Sequence, residues 1–205
     1  MTIQDVYSEL DRQCIDSLNV ISLVNTSEYL SSDDKKKIQD LVVKQAFLSV
    51  FTEWEHFLED ATIAYSLDEP SIEGDKPNRY IWPVDRDHAD SLIKGVASYP
   101  DWSDMDTVKR LESSLFENGA PFLGALNGFS SKYKEMKKVR NVIVHNSIKS
   151  RDEFDTLVRN VLNVSSVGIT PTEFLLSKKG SNPAFYRSYI THIQNASKQI
   201  AFYKK

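Results

Sequence analysis

Arg140, Asn141 and His145 fall within six residues of one another in the stretch Lys137-Lys138-Val139-Arg140-Asn141-Val142-Ile143-Val144-His145-Asn146. Together these three side-chain types can act on a phosphodiester. Neutral imidazole is suited to taking a proton near pH 7. A guanidinium fork is a good fixed donor for charge that builds on phosphate oxygens, and a small amide beside it orients the phosphate or the imidazole. RNA brings its own nucleophile, because the ribose 2′-OH attacks the adjacent phosphate once a base takes its proton. The set therefore suits RNA cleavage that needs no metal or other cofactor. Lys134, Lys137 and Lys138 would add sequence-blind affinity for the backbone.

The spacing reads as one helix. At about 100° per residue, Lys137, Asn141 and His145 stack on one face and Arg140 flanks them, while Met136, Val139 and Ile143 point to a core. Lys132, Lys134, Lys137, Lys138 and Arg140 against Glu135 sum to about +4, although a charge run alone reads as a solvated face. An Arg with a His five places on is a weak signal. Arg187 and His192 repeat it, and about 0.16 such pairs are expected by chance. Requiring Asn directly after the Arg lowers the expectation to order 0.01, and only Arg140-Asn141 meets it. Arg187 and His192 read as a surface or core pair. On a continuous helix Arg140 and His145 point about 140° apart, which makes convergence on one phosphate difficult within one chain. Two copies related by a two-fold axis would line a cleft with both pairs, so a homodimer is expected.

The rest of the chain supplies helices to hold this one. Thr2-Ile3-Gln4-Asp5 is a capping-box pattern, and Tyr7, Leu10, Cys14, Leu18 and Ile21 continue at helical spacing, predicting a helix over 3–29. Cys14 on that apolar stripe reads as a small buried hydrophobe. Ser31-Ser32-Asp33-Asp34 breaks this helix and caps a second, over 33–67, carrying Phe47, Val50, Phe51, Trp54, Leu58, Ala61 and Tyr65. Lys35-Lys36-Lys37 reads as its solvated start. His56 and Asp60, at i and i+4, could pair or bind a metal, but a second ligand pair is missing. Residues 68–103 are punctuated by Pro70, Pro77, Pro83 and Pro100 and read as a loop-rich insertion with a small helix near 86–97. Its Asp85, Asp87, His88 and Asp90 fit helix N-terminal acids better than a metal site. Further helices are predicted over 104–116, up to 148 with Ser130 or Ser131 as a cap, 150–163 behind Ser150-Arg151-Asp152-Glu153, 172–177, and 183–203 behind Ser181-Asn182-Pro183. No strand is predicted. The expectation is one all-α domain, an antiparallel helical bundle with an irregular insertion.

Composition narrows the class. A hydrophobic content of 40% and a charged content of 26% are those of an ordinary globular chain. No apolar run approaches the roughly 18 residues a membrane helix requires. The start Met1-Thr2-Ile3-Gln4-Asp5 does not resemble a signal peptide, so no membrane partner and a cytoplasmic location are expected. A single Cys excludes an internal disulfide framework and a cysteine zinc site. The net charge of −4 places any nucleic-acid site on a local basic patch.

Arg140-Asn-Val-Ile-Val-His145 resembles the R-x4-6-H signature of HEPN domains, with the polar residue typical after the Arg. Trp54-Glu55-His56-Phe57-Leu58-Glu59-Asp60 is similar to the earlier helix of one bacterial HEPN branch. The resemblance covers roughly 35–163, least well in the insertion, with helices added at both ends. It implies a helical bundle that dimerises with its motifs facing each other, and metal-independent RNA cleavage by a toxin or antiviral effector. By position, Arg140 and His145 would be catalytic and Asn141 supporting. An antitoxin or defence partner encoded elsewhere would accompany it. One subgroup carries Tyr two residues after the His, where an antitoxin nucleotidyltransferase modifies it. Here that position is Ser147, so such control is not expected. Some members have lost catalysis and act as RNA- or protein-binding modules, which is the alternative reading.

Overall fold

The computed structural model describes residues 1–26, 32–97, 100–165 and 168–205. Among them are eight α-helices and no strand, an all-α helical bundle: α1 (Ile3–Thr26), α2 (Ser32–Ser66), α3 (Arg86–Ala97), α4 (Met105–Leu115), α5 (Phe122–His145), α6 (Ile148–Leu162), α7 (Pro171–Leu176) and α8 (Phe185–Ala201). A 3₁₀ turn, Glu117–Gly119, precedes α5, and the Ala120–Pro121 peptide is cis. The only sheet-like pairing among the described residues is one isolated bridge, Arg79 to Phe116. No described helix is long and apolar enough to cross a membrane.

Local signals account for most boundaries. Thr2 and Asp5 cap α1 reciprocally: Thr2 N–H donates to Asp5 Oδ2 at 2.9 Å and Asp5 N–H to Thr2 Oγ1 at 3.1 Å. The predicted break at Ser31 lies outside the described residues, and α2 starts at Ser32 with Asp33 and Asp34 in its first turn. Ser130 and Ser131 cap nothing. They lie inside α5, where the Ser130 hydroxyl donates back to Leu126 O at 2.8 Å. Ser150 does not cap α6 either. Ser147 does, its side chain accepting from Ser150 N–H at 3.2 Å, because one residue is enough to turn the chain out of α5. The last helix starts at Phe185, two residues beyond Pro183.

The chain packs as two compact units. One comprises Met1–Arg12, Glu53–Ser130 and Ile193–Lys205. Its interior gathers Leu10, Trp54, Leu58, Tyr65, Leu111, Phe116, Phe122 and Ile200, all fully buried or nearly so. The Trp54 ring stacks on Phe57 and meets Phe129 edge-on at 5.4 Å. Tyr65 donates to Ile200 O at 2.7 Å. The described residues between 68 and 103 belong to this unit and, outside α3 at the predicted 86–97, are non-helical. Asp68, at φ 70°, anchors the loop by pairing with Lys76 at 2.7 Å and Arg79 at 2.9 Å.

The second unit comprises Gln13–Thr52 and Ser131–His192. A chain of ring contacts runs through it: Phe154 of α6 to Phe174 of α7 at 5.7 Å, Phe174 to Phe185 of α8 at 4.7 Å, and Phe185 to Tyr189 at 6.0 Å. It continues from Tyr189 to Phe47 of α2 at 6.4 Å, Phe47 to Phe51 at 6.4 Å, and Phe51 to Tyr133 of α5 at 5.2 Å. Tyr189 also donates to Glu135 Oε2 at 3.1 Å. Burial, reinforced by that carboxylate, raises its phenol above the ordinary value. Cys14 is buried here, in the small-hydrophobe role expected for it.

Glu112 of α4, in the first unit, is fully buried. Thr62 Oγ1 lies 2.7 Å from Leu58 O and 2.5 Å from Glu112 Oε1. One hydroxyl hydrogen cannot serve two acceptors, so Glu112 donates its acid hydrogen to Thr62, which donates on to Leu58. Burial pushes this carboxyl up to about 8 from 4.5. The unfolded chain therefore ionises first as pH climbs, and stability falls between about 4.5 and 8 at up to roughly 1.4 kcal/mol per pH unit. Glu112→Gln, whose amide can still donate to Thr62, should remove this slope. Thermal melts at pH 5 and pH 8 should show the variant gaining on the wild type at the higher pH; an equal difference at both would show that Glu112 is not neutral.

Candidate functional site

The face of α5 divides as its sequence dictates. Tyr133, Met136, Val139 and Val142 are buried, whereas Lys134 and His145 are exposed and Lys137, Lys138, Arg140 and Asn141 are half-buried. Ile143, expected to point inward, is only half-buried; Val142 takes its place. Lys132, counted in the basic run, pairs with Glu135 at 3.0 Å.

The structure brings the three motif residues together within one chain. Arg140 Nη1 lies 3.3 Å from Asn141 Oδ1 and 3.2 Å from His145 Nε2. The expectation that these two side chains diverge is thus corrected. The angle between their Cα–Cβ directions is overcome by the reach of the arginine stem towards the end of the helix. Guanidinium only donates, so His145 Nε2 must accept and the imidazole proton lies on Nδ1. That tautomer keeps a lone pair on the nitrogen nearest the arginine, as a base requires.

Immediately beyond His145 the chain turns sharply. Asn146 has φ 44°, in the left-handed region that asparagine tolerates better than most residues. This ends α5 and sets Ser147 as the cap of α6. Ser147 therefore has a helix-capping role. Arg151, in the first turn of α6, reaches back so that its Nε donates to Asn146 Oδ1 at 2.7 Å. Sequence reasoning missed this residue. Arg151 reads as filler in a capping pattern, and only the turn at Asn146 ties it to the residue that follows His145. Two exposed apolar side chains border the corner, Val144 at 48% and Ile148 at 83%.

The other candidates resolve into structural roles. Arg187 donates to Tyr186 OH at 3.3 Å and lies over that ring, while His192 Nδ1 is 2.7 Å from Ser188 O. His56 does not pair with Asp60. It lies 3.6 Å from Glu53, and Asp60 pairs with Arg86 at 2.5 Å. Asp85 accepts from His88 N–H at 2.8 Å at the start of α3, as a helix-end acid does, whereas Asp90 pairs with Lys94 one turn further along the helix. Among the described residues no group of three or more His, Cys, Asp or Glu side chains could hold a metal ion.

No family model, no curated protein and no solved structure matches this chain. The case for function therefore stands on the corner itself. Because Arg187 and His192 engage different neighbours, Arg187→Ala and His192→Ala should leave any RNA cleavage within a few-fold of wild type. A loss equal to that from His145→Ala, in the same assay, would move the site to α8.

Proposed function

We propose that this chain is a metal-independent endoribonuclease of HEPN type, acting as a cytoplasmic bacterial toxin or antiviral effector. The observation that carries the reading is the 3.2 Å approach of Arg140 Nη1 to His145 Nε2, beside Asn141, at an exposed helix end. An RNA phosphate arriving here would draw Nη1 off the imidazole and free the Nε2 lone pair. His145 then takes the 2′ proton, the O2′–P bond forms and the P–O5′ bond breaks. The departing 5′ oxygen takes a proton from water, leaving a 2′,3′-cyclic phosphate. Arg140 holds the charge that builds on the non-bridging oxygens, and Asn141 keeps the guanidinium in place. Lys134, Lys137 and Lys138 supply backbone affinity. An antitoxin or defence partner encoded elsewhere belongs to this reading.

A second reading draws on the same contact. A hydrogen bond that joins Arg140 to His145 within one chain also satisfies both groups, as in a structural pair. It favours a non-catalytic HEPN-like RNA- or protein-binding module.

His145→Ala should lower the cleavage rate by about 10²–10⁴-fold, and Arg140→Ala by a similar order. Arg140→Lys should rescue only in part, since a point charge does not reproduce the fork. Lys137→Ala and Lys138→Ala should weaken binding and flatten its salt dependence while sparing the chemical step. The deciding assay is single-stranded RNA with purified protein in excess chelator, wild type beside His145→Ala. A 2′-deoxy nucleotide at the cleaved position should block the reaction, and equal residual cleavage by both proteins would leave the non-catalytic reading.

Assembly is a separate expectation. The exposed Val144 and Ile148 beside His145 support a two-fold contact that sets two corners face to face. Sedimentation at micromolar concentration should give twice the 23.4 kDa chain mass, and Ile148→Asp should shift it towards monomer. A monomer in the wild type would rule out the composite site.

A further inference from the structure

Two arginines flank His145, one five residues before it and one six after. Each is held by an asparagine oxygen: Arg140 Nη1 donates to Asn141 Oδ1 and Arg151 Nε to Asn146 Oδ1. The choice of partner matters. Arg12, Arg79 and Arg86 pair with the carboxylates of Glu9, Asp68 and Asp60. A carboxylate fixes a guanidinium and cancels its charge, whereas a neutral amide fixes it and leaves the charge in place. Among the described residues no carboxylate lies within ion-pair distance of Arg140 or Arg151. With Nε bound, the Nη1 and Nη2 edge of the exposed Arg151 remains for another acceptor. A planar edge of that kind matches two phosphate oxygens.

We propose that Arg151 grips the phosphate next to the one that reacts, so that the site takes at least two consecutive phosphates of a single strand. This rests on the ribonuclease reading above. Arg140 and His145 serve the reacting phosphate and its 2′-OH. Arg151, tied by Asn146 to the turn that follows His145, serves its neighbour and sets the register of the strand. The substrate class is therefore an oligonucleotide with a charged neighbouring phosphate, not a dinucleoside monophosphate.

The test uses the full chain and short single strands with one ribonucleotide in a deoxy background, so that a single bond can break. Each neighbouring phosphate is replaced in turn by an uncharged methylphosphonate. Arg151→Ala should raise KM about 10-fold and leave kcat within a few-fold, the pattern of lost binding rather than lost chemistry. One neighbouring methylphosphonate should raise the wild-type KM to the same degree and have no further effect on Arg151→Ala, the signature of a direct contact. Asn146→Gly keeps the left-handed turn but removes the amide oxygen, and should raise KM partway. If Arg151→Ala and every methylphosphonate multiply independently, the proposal is overturned while the ribonuclease reading stands. If the wild type does not cleave, affinity for the same strands decides. A methylphosphonate effect abolished by Arg151→Ala keeps the two-phosphate grip without catalysis, and its absence overturns both.

Discussion

The aromatic chain from Phe154 to Tyr133 is the constraint on which the candidate site depends. It ties α6, α7, α8, α2 and α5 through six ring contacts. Each pair contributes about 0.5–1.5 kcal/mol beyond the burial of its area. The surface ion pairs on the same helices contribute roughly 0–1 kcal/mol. Lys149 to Glu153, at 4.0 Å with the lysine 86% exposed, is at the weak end of that range. Ring packing therefore determines where α5 and α6 lie, and the polar corner between them inherits its geometry from an apolar interior.

That corner concentrates cationic groups at little cost in desolvation. His145 and Arg151 are exposed and Arg140 is half-buried. Neutral amides from Asn141 and Asn146 orient the two guanidinium groups, Arg140 at the end of α5 and Arg151 at the turn that follows it. A guanidinium against the Nε2 lone pair also sets the tautomer of the histidine before any ligand arrives.

Glu112 shows the opposite treatment of an ionisable group. It is enclosed rather than exposed, and the structure meets the desolvation penalty by keeping the acid protonated, its hydrogen donated to Thr62, whose own hydroxyl donates to Leu58 O. Its second oxygen has no hydrogen-bond partner, which only a neutral carboxyl tolerates at modest cost.

The amino-acid sequence alone determined the all-α class, most helix spans and the polar and apolar faces of α5, because these follow from apolar spacing and local capping chemistry. Thr2 and Asp5 capped α1 as their spacing required, and α3 occupied the predicted residues. Periodicity also put Asn141 and His145 on one face, with Arg140 flanking it. Tertiary structure decided what periodicity cannot express. A helical wheel tracks Cβ directions and ignores the length of a side chain, so it separated Arg140 from His145, whereas the long arginine stem joined them. It also assumes a continuing helix. The left-handed Asn146 ended α5, moved the cap of α6 from Ser150 to Ser147 and carried Arg151 back to the site. The ionisation of Glu112 was equally hidden, because burial depends on contacts made between residues 50 positions apart.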